Sequence, residues 1–156
     1  VKRTRLIAST LTNYLSSPLQ EISSAERDKI ENELYKLSHS HPDSFLVRIQ
    51  LLRLLITEAA SPTMIQCLYS LWETERVQQL NERDYTTLAY ELALRIPEQG
   101  KEILQTQRQR IHNPDRLRQF DFISRAMTAD TLKLDSLFQS LLQAENRRIE
   151  PGQLRP

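Results

Sequence analysis

Apolar residues recur along this chain with the 3.6-residue period of α-helices. The longest stripe has apolar side chains three or four positions apart: Tyr85, Leu88, Ala89, Leu92, Ala93 and Ile96. Two further stripes have the same spacing: Met64, Cys67, Leu68 and Leu71, and then Leu134, Leu137, Phe138, Leu141 and Leu142. This period predicts amphipathic helices that each bury one face.

Two segments depart from the one-sided pattern. Residues 45–56 are apolar nearly all round, so we expect a central helix that its neighbours enclose. Residues 98–111 have three strongly apolar positions, which are Ile103, Leu104 and Ile111. That segment is expected to be an outer helix with most of its surface in solvent.

Capping signals divide these patterns into eight helices. Ser23 and Glu26 form a capping box, in which each side chain meets a backbone N–H of the first turn. Ser61 and Asn113 each stand before a proline, the residue that best tolerates the first helical position. The remaining predicted starts are a first helix near residues 4–17, Asp43, Asn81 with Asp84, Pro97, and Thr128 or Asp130.

Cap positions return about every 35 residues, which is the length of one helical hairpin in repeat proteins. The chain is therefore predicted to be all-α, a single domain over residues 1–156. Its expected architecture is an α-α superhelix, a HEAT- or armadillo-like solenoid of about eight antiparallel helices. The only two glycines are Gly100 and Gly152, which excludes glycine-rich nucleotide-binding loops and argues against tetratricopeptide repeats.

Charge, hydropathy and cysteine content exclude only a few classes of partner and location. The net charge of +1 lacks the basic excess of a general nucleic-acid binder, so we expect no nucleic-acid partner. No apolar run reaches the roughly 18 residues that a membrane span needs. One cysteine excludes an intrachain disulfide but leaves the localisation open. Because residue 1 is Val and no signal-like segment follows, we expect a piece of a longer protein.

The residue types that build active sites are sparse. A helical zinc site needs two histidines four residues apart, whereas His39 and His41 are two apart and His112 is isolated. The histidine pair is interpreted as polar residues where a helix ends, with metal binding as the weaker alternative. Cys67 is predicted to be a small buried side chain. Trp72, with Tyr69, is predicted to anchor helix packing.

Neighbouring carboxylates, such as Glu31 and Glu33, fall on different helix faces and are interpreted as solvated surface. The sequence therefore predicts no self-sufficient catalytic site.

One segment stands out by its charge. Residues 105–118, the arginine corner, read QTQRQRIHNPDRLR and contain four arginines against one aspartate. A solvated basic surface is one interpretation, and a surface that accepts carboxylates or an acidic domain is the other. The candidate peptide-facing or domain-docking residues are Arg108, Arg110, Arg116, Arg118 and, further along, Arg125.

The sequence from residue 82 onward resembles a known family. LAYELALR at 88–95, NPDRLRQFDFISRAM at 113–127, LDSLFQSLLQAENRR at 134–148 and IEP at 149–151 are similar to the C-terminal helical domain of M1-family zinc aminopeptidases. The likeness covers about 70 residues and is faint over 1–81. It breaks off at Gly152, where the family usually continues with an aromatic residue and another apolar helix.

This resemblance implies a parent enzyme of several domains. The family's catalytic domain holds zinc through His-Glu-x-x-His and a later Glu, and Gly-x-Met-Glu-Asn binds the peptide's amino terminus; neither motif occurs here. The family's C-terminal solenoid encloses the active-site chamber and restricts peptide access. We therefore expect this segment to be non-catalytic and without a cofactor. Its expected partners are the parent's zinc-containing catalytic domain and the parent's peptide substrate.

A different class of function fits the same helical pitch. The chain could be an independent α-solenoid scaffold that binds a protein partner. The two hypotheses differ in what precedes Val1 in the full protein.

Overall fold

The fold is all-α, as predicted. The computed structural model describes residues 10, 12–14, 22–40, 45–75, 77, 80–128 and 130–142. These residues contain seven helices and no strand: α1 Ser24–Ser40, α2 Phe45–Glu58, α3 Pro62–Thr74, α4 Glu82–Arg95, α5 Gly100–Arg110, α6 Pro114–Ser124 and α7 Thr131–Leu142. Residues 10 and 12–14 are helical too, within the helix predicted near 4–17.

The chain divides into two compact units, Val1–Leu88 and Ala89–Pro156, which we call unit 1 and unit 2. The division falls inside α4. In unit 1, α1 packs against α2 and also contacts α3. In unit 2, α5 packs against α6. The predicted superhelix is compatible with this all-helical order and stays a prediction, as does the single domain.

Five of the predicted caps form the expected hydrogen bonds. In the capping box before α1, the Glu26 N–H donates to Ser23 Oγ over 3.3 Å and the Ser23 N–H donates to Glu26 Oε2 over 3.2 Å. The other four cap residues accept from backbone N–H groups within three residues of themselves: Ser61 before α3, Asn81 before α4, Asn113 before α6 and Asp130 before α7. Asp43 lies outside the described residues.

The core of unit 1 comes mainly from α2, α3 and the first half of α4. The enclosed helix predicted over 45–56 is present as α2, and Leu52, Leu55 and Ile56 are almost completely buried. Its first turn corrects the prediction, because Phe45 and Leu46 are more than half exposed. Trp72 is buried in α3, where it contacts Tyr69, as predicted.

A buried carboxylate joins α1 to the start of α3 and overturns the surface assignment of Glu31. Glu31 is only 1% exposed. Its Oε1 accepts from the Ala60 N–H at 2.9 Å, and its Oε2 accepts from the Ser61 N–H at 3.1 Å and from the Ser61 hydroxyl. The first N–H groups of a helix lack partners within the helix, and their partial positive charge attracts an anion. Glu31 therefore caps α3 from another helix.

A second long-range pair lies in unit 1. Arg53 of α2 binds Asp84 of α4 with both nitrogens of its fork, Nε–Oδ1 at 2.8 Å and Nη2–Oδ2 at 3.1 Å. The same Asp84 carboxylate accepts from the Asn81 N–H at 3.1 Å. Asp84 thus stabilises the start of α4 and also fixes α2 against it.

The start of α5 packs closely on the backbone of α4 within unit 2. A Cβ built on Gly100 would lie only 2.7 Å from the Ala93 carbonyl oxygen, which is nearer than a Cβ lies to a non-bonded oxygen in folded proteins. The break predicted at Pro97 is present, since α4 ends at Arg95, but α5 begins three residues after Pro97, at Gly100. α5 is an outer helix, as predicted, since only Gly100, Ile103 and Gln107 of its residues are buried; the burial of the polar Gln107 was not predicted.

Gly100→Ala is expected to lower the free energy of unfolding by about 1–3 kcal/mol, because either α5 or α4 must move to accommodate the new methyl group. Urea unfolding followed by circular dichroism measures this loss. Gln105→Ala, on the exposed side of α5, is the matched control and should stay within about 0.5 kcal/mol of the unchanged protein. Equal stability of the two variants would contradict the close approach.

Candidate functional site

The arginine corner covers the end of α5, the link 111–113 and the start of α6. Asn113 orders its centre, because Asn113 Oδ1 accepts from the Asp115 N–H at 2.9 Å and from the Arg116 N–H at 3.1 Å. Pro114 then occupies the first turn of α6, where its missing N–H costs nothing. The five predicted arginines differ in their contacts: Arg108 and Arg118 pair with carboxylates, and Arg125 lines a cavity.

Arg108 is held by a carboxylate of the neighbouring helix. Its Nε donates to Asp121 Oδ1 at 2.7 Å and its Nη2 donates to Asp121 Oδ2 at 2.9 Å. The hydrogen bond with Asp121 raises the pKa of Arg108, and the charge of the carboxylate adds to this effect. Both side chains are about half exposed, so the pair contributes little stability and mainly sets the position of α6 on α5.

Three further arginines lie close by in sequence. Arg118 forms an ion pair with Asp115, one turn earlier on α6. Arg110 is half-buried in the last turn of α5, and Arg116 is exposed in the first turn of α6. Arg108 and Arg118 thus have carboxylate partners within unit 2 itself, which weakens the hypothesis that they receive an external one.

Arg125, the fifth candidate, lies just after α6 and lines a cleft of about 460 Å³ within unit 2. We call this cavity the basic cleft. Its charged lining residues are three cations, Lys101, Arg125 and Lys133, and one carboxylate, Asp130. Lys133 Nζ lies 3.2 Å from Asp130 Oδ2. The remaining lining residues are Ala93, Pro97, Gly100, Leu104, Ser124, Met127 and Thr128.

A second cavity of about 420 Å³ shares Arg125 and Lys133 with the basic cleft and runs along α7. Its other lining residues, which define the α7 groove, are Leu132, Ser136, Leu137 and Ser140. None of the residues of α7 is fully buried. Leu132 is 79% exposed and Phe138 is 61% exposed, so this helix leaves apolar side chains in contact with solvent.

Lys101 and Lys133 were missed at the level of sequence. They lie 32 positions apart in sequence, and neither belongs to a recognisable charge cluster. The only local signal was that each falls in the first turn of a predicted helix. The fold brings them to one cavity, which no sequence spacing could predict.

His39 and Cys67 each interact with Tyr35 of α1. His39 is exposed in the last turn of α1, where its Nδ1 lies 2.9 Å from the Tyr35 carbonyl oxygen; His41 lies outside the described residues. Cys67 is half-buried, whereas the prediction was a buried side chain, and its thiol interacts with the Tyr35 hydroxyl of α1. Among the described residues, no three histidine, cysteine, aspartate or glutamate side chains are grouped as metal ligands.

Two tyrosines have strongly shifted ionisation. Burial raises the pKa of Tyr90 to about 12, and the negative charge of Asp121 adds to this shift. Burial and a hydrogen bond with Cys67 likewise raise the pKa of Tyr35 to about 12. A phenol in an unfolded chain titrates near pH 10. The folded state therefore binds these protons more tightly than the unfolded state does.

This difference in pKa between the folded and unfolded states predicts that the protein loses stability at alkaline pH. The contribution of Tyr35 and Tyr90 is fully present below about pH 10 and is lost as the pH rises toward about 12, since only the unfolded chain ionises there readily. Absorbance titration at 295 nm should show two late phenol ionisations, and Tyr90→Phe should remove one of them. Ionisation of all five tyrosines near pH 10 would contradict the prediction.

No family model, curated protein or solved structure matches this chain. No helix within the described ranges is both long enough and apolar enough to cross a bilayer.

Proposed function

We propose that this chain is the non-catalytic C-terminal helical domain of an M1-like zinc aminopeptidase, in which it covers the active-site chamber and restricts the entry of peptides. The observation that carries the proposal is the likeness of residues 82–151 to that family. The conserved chemistry of the family lies in another domain, so this segment would contribute shape and charge and would leave bond cleavage to its catalytic partner.

The helix boundaries support this assignment. LAYELALR at 88–95 lies within α4, NPDRLRQFDFIS lies across the cap and length of α6, and LDSLFQSLL forms most of α7. Within residues 88–142, the pieces that carry the resemblance therefore coincide with helices, as a domain of stacked helices requires, whereas residues 143–151 lie outside the described residues. The basic cleft gives such a domain a place that can receive an acidic group of a peptide or of the catalytic domain.

The decisive experiment is to read the coding sequence upstream of Val1. We expect His-Glu-x-x-His followed by a later Glu. An upstream region without these zinc ligands would refute the proposal. With the ligands present, deletion of this segment should leave zinc bound and the hydrolysis of a small aminoacyl reporter measurable. The dependence of kcat/KM on peptide length should change, because the segment would no longer restrict access.

A matched measurement uses this chain alone. It should bind no stoichiometric zinc and cleave no aminoacyl reporter. Turnover that co-purifies with the chain, and is removed neither by further purification nor by inhibitors of contaminating peptidases, would contradict a non-catalytic role.

The second candidate function is an independent α-solenoid scaffold that binds a protein partner. The observation in its favour is the exposure of Leu132 and Phe138 on α7, because apolar side chains left in solvent are typical of interaction surfaces. The upstream sequence also separates the two candidates. A natural start close to Val1, without an enzyme domain before it, would favour the scaffold.

A further inference from the structure

We propose that the basic cleft and the α7 groove together bind an acidic peptide segment, with a carboxylate in the cleft and a neighbouring apolar side chain in the groove. Both cavities lie within unit 2. The proposal does not depend on the chain being a peptidase domain, since it rests on the charges and cavities of this unit alone.

The basic cleft has more positive than negative charge. Lys101 and Arg125 form no ion pair with any residue that the structure describes, whereas Lys133 shares its charge with Asp130. Two of the three cations that line the cavity are therefore available to an external anion. Arginine and lysine at one cavity are well suited to a carboxylate, which arginine can bind with two parallel hydrogen bonds.

The start of α5 adds to this preference, whereas the start of α7 already has the Asp130 carboxylate as its cap. Gly100 starts α5 and Asp130 caps α7, and both residues line the cavity. Gln99, at the N-cap position of α5, forms no capping hydrogen bond with its side chain. The partial positive charge at the start of a helix favours an anion nearby, so it reinforces the attraction of Lys101 and Arg125.

The basic cleft and the α7 groove are continuous with each other. Because Arg125 and Lys133 line both cavities, a ligand bound at the cleft can continue into the α7 groove. Leu132 and Leu137 provide the apolar part of this groove, and the exposed Ser136 hydroxyl can bond to a peptide backbone. An extended peptide has this alternation of charged, apolar and backbone polar groups.

The chemistry favours a peptide over a nucleic acid. A nucleic-acid surface presents a long basic stripe that follows the phosphates. Here the cations of the proposed site, Lys101, Arg125 and Lys133, lie at one cavity beside leucines, and the net charge of the chain is only +1. The partner is therefore defined as a protein segment with a glutamate or aspartate next to an apolar residue.

Fluorescence anisotropy of a labelled hexapeptide tests this directly. The probe has two adjacent glutamates between leucines and is blocked at both ends, and its partner probe has glutamines instead. We expect saturable binding of the glutamate probe that weakens with added salt. The glutamine probe, and the glutamate probe added to the Lys101→Gln/Arg125→Gln variant, should each bind about tenfold more weakly.

Two further variants separate the site from general charge and from misfolding. Arg118→Gln removes one positive charge from unit 2 outside the cleft and should leave the affinity unchanged. Leu132→Ser changes an exposed residue of the groove, so folding should be preserved, and affinity should fall about threefold or more. Circular dichroism confirms that each variant is folded.

The proposal is overturned by any of four results. These are no saturable binding, equal affinity for both probes, full affinity in the Lys101→Gln/Arg125→Gln variant, and an equal loss in Arg118→Gln. Competition by inorganic phosphate as strong as that by the peptide would also overturn it, because the site would then be a simple anion site without use of the groove. None of these results bears on whether zinc ligands lie upstream of Val1.

Discussion

Phe120→Ala is expected to lower the free energy of unfolding by about 3–5 kcal/mol, the largest effect of any single substitution considered for this protein. Phe120 of α6 is 2% exposed, and its ring stacks on Tyr90 of α4 with ring centroids 5.2 Å apart and planes inclined by 17°. Removing the ring takes away buried apolar surface, leaves a cavity and ends the aromatic contact, which adds to the loss.

Urea unfolding followed by far-ultraviolet circular dichroism measures this loss, and the chain offers a matched control. Phe138→Ala deletes the same atoms from a side chain that is 61% exposed, so its effect should stay below about 1 kcal/mol. The same variant has a second readout. With Phe120 gone, water reaches the Tyr90 phenol, and its pKa should fall from about 12 toward the ordinary value. Equal stability of the two phenylalanine variants would refute this account of the unit 2 core.

Glu31→Gln is expected to cost about 2–4 kcal/mol although the two side chains have nearly the same shape. The carboxylate accepts at both oxygens, from the Ala60 N–H on one side and from the Ser61 N–H and hydroxyl on the other. An amide has only one acceptor oxygen, so one of these buried donors would face an NH₂ group and lose its partner. The change also removes the negative charge at the start of α3.

The control for Glu31 lies two residues further along the same helix. Glu33 is exposed and pairs with Lys36 over 2.8 Å, so Glu33→Gln should cost less than about 0.5 kcal/mol. Urea unfolding of the two variants under the same conditions compares them. If both lost the same small amount, the assignment of Glu31 as the cap of α3 would be wrong.

Helix starts are the part of this fold that the sequence predicts best. Each predicted cap that the structure describes, such as Ser61 or Asn113, accepts from an N–H group two or three residues away. An interaction of that range needs only the local backbone conformation, so residue identity and spacing are enough to predict it. The stripe on α4 could be predicted for the same reason, because the helical period itself places Leu88 and Leu92 on one face.

Glu31 was predicted to be solvated but is buried. Glutamates in helices are mostly solvated, and nothing near residue 31 indicates a buried partner. Its donors are 29 and 30 positions away, at the start of another helix. The first turn of α2 shows the opposite error, because Phe45 and Leu46 were predicted to be enclosed and are exposed. An apolar run shows how much surface could be buried but not where neighbouring helices end.

The candidate site also has features that the sequence could predict and features that it could not. The sequence could identify the arginine corner, because its charges lie close together in the chain. It could not tell that Arg108 is bound to Asp121, nor that Arg125 shares a cavity with Lys101 and Lys133. Within unit 2, the folded backbone decides which charges meet an opposite charge of the same chain and which remain available to a partner.

The sequence by itself determined that this protein is helical, where most of its helices begin and which faces are apolar. These properties depend on interactions between residues no more than one turn apart. Only the tertiary structure decided that a glutamate caps a distant helix, that Gly100 must lack a side chain and that three cations line one cleft. Each of these depends on the packing of whole helices, which brings together residues that are far apart in sequence.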